Sequence, residues 1–340
     1  MEEGITIAFD NRELLCGICG ANDGNLRTIE DSLGGFITAR GNEIHFECND
    51  EAGVRRFKTM MDSLITAVSE GEEPSAEYIR AVAGEFIPGE SGRDGVSIDM
   101  RESEEEHFTT PQEKGMPLFR DSMIQIPHGF NRVYPRTRNQ AMYIRGMRES
   151  EICFCVGPAG TGKTYLAIAQ ALQMVLSKKM RKLVLTRPVV EAGESLGFLP
   201  GDLSQKINPY LRPLYDAMES LIPYDIIHRM EETRSIEIAP LAYMRGRSLN
   251  DCMVILDEAQ NTTKEQMKMF LTRIGSGARA IITGDTTQID LPRKTDSGLL
   301  HAIEILRGIE GLYFSFLHTA DVARNPLIKK IIQVYNESKT

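Results

Sequence analysis

Five short, apolar runs with few interruptions mark the second half of the chain: Glu151–Val156, Lys182–Thr186, Asp251–Leu256, Arg279–Thr283 and Leu312–Leu317. Each is the length of a strand, and each is apolar at successive positions where a half-exposed strand would alternate, so each predicts a buried strand. Between them the period changes. From Lys163 onward Leu166, Ala167, Ala169, Gln170, Ala171, Leu172 and Val175 form a helical set of good helix formers. Asp321–Leu327 opens a closing helix after the last strand. Strands alternating with helices predict a parallel α/β sheet.

The first part of the chain has a different pattern. Ile5–Phe9 is β-branched and aromatic enough for a strand, followed by the turn or cap pair Asp10-Asn11. Asn25–Leu33 places Leu26, Ile29 and Leu33 on one helical face and ends at Gly34-Gly35, near where a C-terminal glycine cap is expected. Phe36–Arg40, Gly41-Asn42 and Glu43–Cys48 predict a hairpin with a tight turn. Val54–Val68 is a second amphipathic helix and Glu77–Phe86 a short third one. Pro88–Pro117 then combines Gly, Ser and Pro with the acidic run Glu102–Glu106 and has too little apolar surface to order itself. The expected organisation is a small α/β domain over residues 1–86, an acidic flexible linker over 87–121 and a larger α/β domain over 122–340.

Charge sharpens that division. The 340 residues carry a net −9, but residues 1–121 hold 11 Lys/Arg against 26 Asp/Glu, and residues 122–340 hold 28 against 22. The acidic total argues against indiscriminate nucleic-acid binding, and the basic second part leaves room for a polyanion there. The six cysteines are sparse and suit reduced thiols in a cytoplasmic protein. Cys16-x-x-Cys19 with His45 and Cys48 is a single CxxC pair, short of the repeated spacing that marks a zinc site. No apolar run is long enough to cross a bilayer, and Met1-Glu2-Glu3 begins no signal peptide, so no membrane partner is expected.

The chemistry concentrates at the strand ends. Gly157-Pro158-Ala159-Gly160-Thr161-Gly162-Lys163-Thr164 reads G-x-x-x-x-G-K-T between a strand and a helix. Glycines let such a loop turn its backbone N–H groups toward phosphates, and the following helix N-terminus adds partial positive charge. Lys163 is the expected ligand of the β- and γ-phosphates, Thr164 the Mg2+ ligand, and Tyr165, next in line, a further nucleotide contact. Asp257 and Glu258 follow the strand about a hundred residues on: Asp257 fits the second Mg2+ contact, and Glu258 is positioned to orient or deprotonate a water. Thr283, Asp285 and Gln288 stand at the tip of the next strand, where an open parallel sheet binds its ligands, and are expected to face the γ-phosphate. Gln140, ahead of the first strand, can either read an adenine edge with its donor and acceptor or sit on a helix surface.

Taken together, P-R-T-x-N-Q, the phosphate loop, T-R-P-x-V-E-A-G-E-x-L-G-F-L-P-G, L-D-E-A-Q-N, T-G-D-x-x-Q and D-V-x-R-x-P-L resemble the PhoH-like ATPase family, in the form with a KH-like N-terminal domain. The resemblance implies a single RecA-like core, ATP as the nucleotide, an RNA-linked function, a ring of subunits and partnership with an RNA-maturation endonuclease. In the KH-like part, Cys19-Gly20-Ala21-Asn22-Asp23-Gly24 departs from the family's GXXG clamp, and Asp23 would repel a phosphate, so a single-strand binder and an adaptor both remain open. The C-terminal motif implies that Arg324, with Arg293 as runner-up, serves a neighbouring subunit's site as an arginine finger. Arg187, Arg212, Arg245 and Arg247 are the candidates for contacting single-stranded RNA. A phosphotransferase or a regulatory ATP-binding module would also need the loop; Glu258 and the arginines favour hydrolysis.

Overall fold

The computed structural model describes residues 3–9, 11–48, 51–69, 73–84, 121–128, 131–188 and 203–322. The expected linker, most of the T-R-P-x-V-E-A-G-E-x-L-G-F-L-P-G stretch and the closing helix with Arg324 lie outside these residues. The chain forms two compact units, one from residues up to 121 together with 134–138, the other from 122–133 and the residues from 139 on.

In the first unit, strands β1 (Glu3–Ala8), β2 (Phe36–Arg40) and β3 (Glu43–Cys48) form an antiparallel sheet in the order β1-β3-β2. Helices α1 (Arg12–Cys19), α2 (Gly24–Leu33), α3 (Glu51–Ser69) and α4 (Ala76–Gly84) pack with it. Ile29, Ile44, Phe46, Phe57, Met60 and Leu64 are fully buried, and the Phe46 and Phe57 rings stack 4.4 Å apart. Gly35 must be glycine, because a Cβ there would lie 2.2 Å from the Phe46 ring. Helix α1 was not among the expected elements. Asn11 starts it, its Oδ1 accepting from the N–H groups of Glu13 at 2.8 Å and Leu14 at 3.4 Å. Asn22 and Asp23 form a left-handed turn into α2, with Asp23 exposed. The zinc-like set is dispersed: Cys19 and Cys48 are core residues, Cys16 is exposed, and His45 bonds Thr6 and Glu47, each at 2.8 Å. Burial raises the Cys19 thiol to about 11.

The second unit is built on six parallel strands in the order β11-β6-β10-β9-β7-β8. They are β6 (Ile152–Val156), β7 (Lys182–Arg187), β8 (Ile236–Pro240), β9 (Cys252–Leu256), β10 (Arg279–Gly284) and β11 (Leu312–Phe316), with a small hairpin of β4 (Ile124–Gln125) and β5 (Arg132–Val133) beside them in sequence. Helices α5 (Arg138–Glu149), α6 (Lys163–Leu176), α7 (Leu203–Glu219) and α8 (Tyr224–Glu232) supply one face, where Leu166, Leu172, Leu214 and Ile227 meet Cys155, Leu185, Met253 and Ile281. Helices α9 (Lys264–Leu271) and α10 (Gly298–Leu306) supply the other, where Phe270 and Leu299 meet Phe154, Val184, Val254 and Ile282. Successive strand residues thus enter opposite apolar layers, which is why the runs do not alternate. This is the α/β, RecA-like sheet the sequence led us to expect. Its strand order sets β10 between β6, which feeds the glycine loop, and β9, which ends at Asp257 and Glu258. All these tips therefore converge at the carboxyl edge of the sheet.

Candidate nucleotide site

The loop from Gly157 to Gly162 joins β6 to α6. Gly160 and Gly162 both have φ near +83°, the left-handed region where a side chain would be strained, and Gly162 immediately precedes the first turn of α6. A Cβ on Gly157 would lie 2.5 Å from the Leu317 carbonyl oxygen. The loop's shape therefore depends on these glycines. Lys163 turns back across it, its Nζ donating to the carbonyls of Gly157 at 2.6 Å and Pro158 at 2.8 Å. Thr161 Oγ1 donates to the Pro158 carbonyl at 2.8 Å.

Opposite the loop, Asp257 is 5% exposed, and its Oδ1 accepts from Thr164 Oγ1 and Thr283 Oγ1, each at 2.7 Å. Glu258 adopts φ +53°, unusual for a non-glycine residue and of the kind found where a fold holds a functional group in place. Its Oε1 accepts from Arg187 Nη2 at 2.7 Å and its Oε2 from Gln260 Nε2 at 2.5 Å. Gln260 continues the network: its Oε1 accepts from the Asp285 N–H at 2.9 Å, and its Nε2 also donates to the Gln288 carbonyl at 3.1 Å. Asp285 in turn accepts from Gln288 Nε2 at 2.9 Å and from Thr287 Oγ1 at 2.6 Å. A cavity of about 260 Å3 opens between the two sides, lined by Ala159, Gly160, Gly162, Lys163, Thr164, Tyr165, Asp257, Glu258, Gly284, Asp285 and Gln288.

The fold thus gathers most of the expected site residues around one cavity. Gly157, Pro158 and Thr161 shape the loop without lining it. Of the two readings of Gln140, burial sets aside the helix-surface one: it is 3% exposed, does not line the cavity, and donates through Nε2 to the Thr161 carbonyl at 3.0 Å. The amide nitrogen expected to donate to a base is committed to the loop, and on the same helix the Tyr143 hydroxyl donates to the Lys163 carbonyl at 3.3 Å. Gln260 was missed as a site residue. Its motif was visible, but its partners lie 25 and 28 residues away.

The arginines divide. Arg187 is held by Glu258, and Arg212 pairs with Asp216 at 2.7 Å and Glu219 at 3.4 Å. Arg247 grips Glu237 through both terminal nitrogens, at 2.5 and 2.9 Å, and Lys182 joins the same carboxylate. The Arg247 hydrogen bonds, then those of Lys182, hold the Glu237 carboxyl down at about 2. Arg245 is exposed and, among the described residues, makes no ion pair; Arg293 is likewise exposed. Arg324 is outside the described residues.

Two kinds of oxygen meet where a divalent cation would be needed, the Thr164 hydroxyl and the Asp257 carboxylate. Both are hard donors that suit Mg2+. Beneath the loop, burial pushes the Cys153 and Cys155 thiols well up, so they stay neutral and take no part in the site's charge.

Comparison with known proteins agrees with this geometry. The profile of the family described as "PhoH-like protein" matches residues 132–336. The PhoH-like protein of Bacillus subtilis (strain 168) is 42% identical over 329 residues, covering 96% of this chain and 95% of that protein. The PhoH-like protein of Mycobacterium tuberculosis (strain ATCC 25618 / H37Rv) is 40% identical over 325 residues, covering 95% and 85%. Protein PhoH of Escherichia coli (strain K12) is 37% identical over 242 residues, covering 69% of this chain and 67% of that one. Among the described residues no helix is long and apolar enough to cross a membrane.

Proposed function

The chain belongs to the PhoH-like protein family, and on that premise we propose that it is a Mg2+-dependent ATPase whose turnover is coupled to single-stranded RNA. The observation that carries the hydrolytic part is the convergence of Thr164, Thr283 and Asp257, with Glu258 beside them on the cavity wall. Thr164 and Asp257 would hold Mg2+, which when bound neutralises phosphate charge. Lys163 would leave the two loop carbonyls for the β- and γ-phosphates, the loop N–H groups would cradle the same oxygens, and Glu258 would accept a proton from the attacking water. Asp285 and Gln288, linked to Glu258 through Gln260, would register the γ-phosphate.

The RNA part is supported by the basic excess after residue 121 and by two exposed residues close in sequence, Arg245 and Tyr243, the latter a ring 51% exposed that could stack on a base. The KH-like unit fits an adaptor role better than a phosphate clamp, since Asp23 is exposed on the turn between its first two helices. A ring of subunits, an endonuclease partner and a finger from Arg324 or Arg293 belong to the same proposal and rest on the family likeness alone. The cytoplasmic setting draws on six cysteines, none of them in a disulfide.

The test is nucleotide binding and ATP turnover with and without single-stranded RNA. Lys163→Ala should abolish binding, and Glu258→Gln should bind ATP but not turn it over, because an amide cannot accept the water's proton. Parental turnover in the Gln variant would remove Glu258 as the base, and turnover indifferent to RNA at every salt concentration would remove the coupling.

A further inference from the structure

Arg187 closes β7, and its guanidinium makes three contacts. Nη2 bonds Glu258 Oε1 at 2.7 Å, Nε lies 3.8 Å from Asp257 Oδ2, and Nη1 donates to the Tyr210 carbonyl on α7 at 3.0 Å. Its side chain is only 18% exposed, so these contacts are not a loose surface pair.

The arrangement crowds the carboxylate that the ATPase reading needs beside a water. With Arg187 on one oxygen and Gln260 on the other, both carboxylate oxygens are occupied by donors, one of them fully charged. The guanidinium takes up one side of Oε1, and drawing Arg187 off would open that side to a water. The cation has a short way to go. It already lies against Asp257, whose other oxygen carries Thr164, and that is the metal end of the cavity, where the γ-phosphate would sit. Phosphate oxygens carry more charge than a single carboxylate and match the guanidinium fork.

Resting on the ATPase reading above, we infer that Arg187 is a catalytic arginine supplied by the same subunit. It holds Glu258 while no γ-phosphate is in the site and passes to the γ-phosphate when ATP is bound. One movement would then do two things, freeing the base and bringing a cation to the transferring group. The Tyr210 contact ties that movement to α7, so closure of the site would be felt by the helix that follows the T-R-P stretch. An arginine supplied in cis makes hydrolysis possible in a single subunit, and whatever Arg324 or Arg293 adds from a neighbour would be superimposed on it.

The experiment compares the full chain with Arg187→Ala and Arg187→Lys, using ADP, ATP and a non-hydrolysable ATP analogue, with Lys163→Ala as the control for the site itself. Binding is read by calorimetry, turnover by phosphate release and folding by thermal melting. For Arg187→Ala the expectation is ADP affinity within about twofold of the parent, analogue affinity down about tenfold or more, and turnover down about a thousandfold, the low end of what a transition-state arginine contributes. Arg187→Lys, which keeps the charge but not the fork, should fall between. Turnover kept or raised in Arg187→Ala would overturn the inference and leave Arg187 as a restraint on Glu258. Equal weakening of ADP and analogue would overturn it too, as the mark of a structural ion pair. Should Arg187→Ala fail to fold, the Lys variant carries the same comparison. If the parent itself turns over no ATP while binding it, the ATPase reading falls, and this inference falls with it.

Discussion

Replacing Gln140 by Ala separates two roles for one amide. In the structure Gln140 Nε2 donates to the carbonyl of Thr161, a residue with no exposed surface, so the truncation strips a buried acceptor of its donor. Leaving such a group unsatisfied costs about 1–3 kcal/mol. Part of that appears as lost stability, a fall of roughly 2–4 °C in Tm for each kcal/mol in a unit of this size. The remainder appears as a loop that spends less time in its phosphate-ready shape. The loss of affinity is bounded by the same energy, about 5-fold to 150-fold at 1.4 kcal/mol per decade. The bond reaches the loop, and the loop meets phosphates that every nucleoside triphosphate shares. Calorimetry with ATP and GTP on the parent and Gln140→Ala should therefore show both affinities falling by the same factor, with a lowered Tm. A loss confined to ATP, with GTP untouched and Tm unchanged, would refute this and restore the adenine-reading role.

Three further outcomes follow from particular contacts. Glu237 is held at about 2 against an ordinary 4.5, so its contribution is complete above about pH 4.5 and is lost as pH falls toward 2; Arg247→Ala should flatten that acid limb, costing about 1–2 kcal/mol at neutral pH once screening at a partly exposed site is allowed for, and a parent whose Tm does not fall between those pH values would contradict it. Gly157→Ala forces a Cβ to within 2.5 Å of the Leu317 carbonyl oxygen, so melting should show a destabilisation of about 1–3 kcal/mol together with weaker ADP binding, and an unchanged Tm would mean the strands part freely. Single-stranded RNA binding should weaken steeply with salt, and Arg245→Ala should lessen that slope by about one while Tyr243→Ala should not; binding carried entirely by a fragment of residues 1–86 would defeat it.

What the sequence disclosed and what it hid divide along a physical line. The central strands were legible because both their faces are covered, which turns a strand into an unbroken apolar run. The glycine loop, Asp257 and Glu258 were legible because backbone geometry and metal chemistry constrain residue type at fixed spacing. Strand β8, I-E-I-A-P, escaped notice because its Glu237 looks like a solvent position. Only the fold shows that Arg247, ten residues on, and Lys182, on the neighbouring strand, neutralise it. Helix α1 was obscured because its buried side includes Cys19 and a glycine interrupts the sequence between Cys16 and Ile18. Among the candidate RNA arginines, composition offered four equal cations. Three prove to be engaged by Glu258, Asp216 and Glu237, and Arg245 is exposed and makes no ion pair among the described residues.

The Gln260 amide shows why a site of this kind cannot be read one residue at a time. Because β10 lies between β6 and β9, the groups at its tip reach the loop on one side and the carboxylates on the other. Gln260 uses that position. Its nitrogen holds Glu258 and the Gln288 carbonyl, and its oxygen receives the Asp285 N–H. A side-chain amide donates through its nitrogen and accepts through its oxygen without carrying charge. A carboxylate in its place would repel Glu258 and could not donate to the Gln288 carbonyl. On the proposed function, a shift of Asp285 or Gln288 toward a phosphate would be passed to Glu258 through Gln260, while Arg187 holds the opposite carboxylate oxygen. Glu258 is thus held from both sides, by Gln260 on one carboxylate oxygen and Arg187 on the other, and on the proposed function a ligand in the cavity would act on both restraints together.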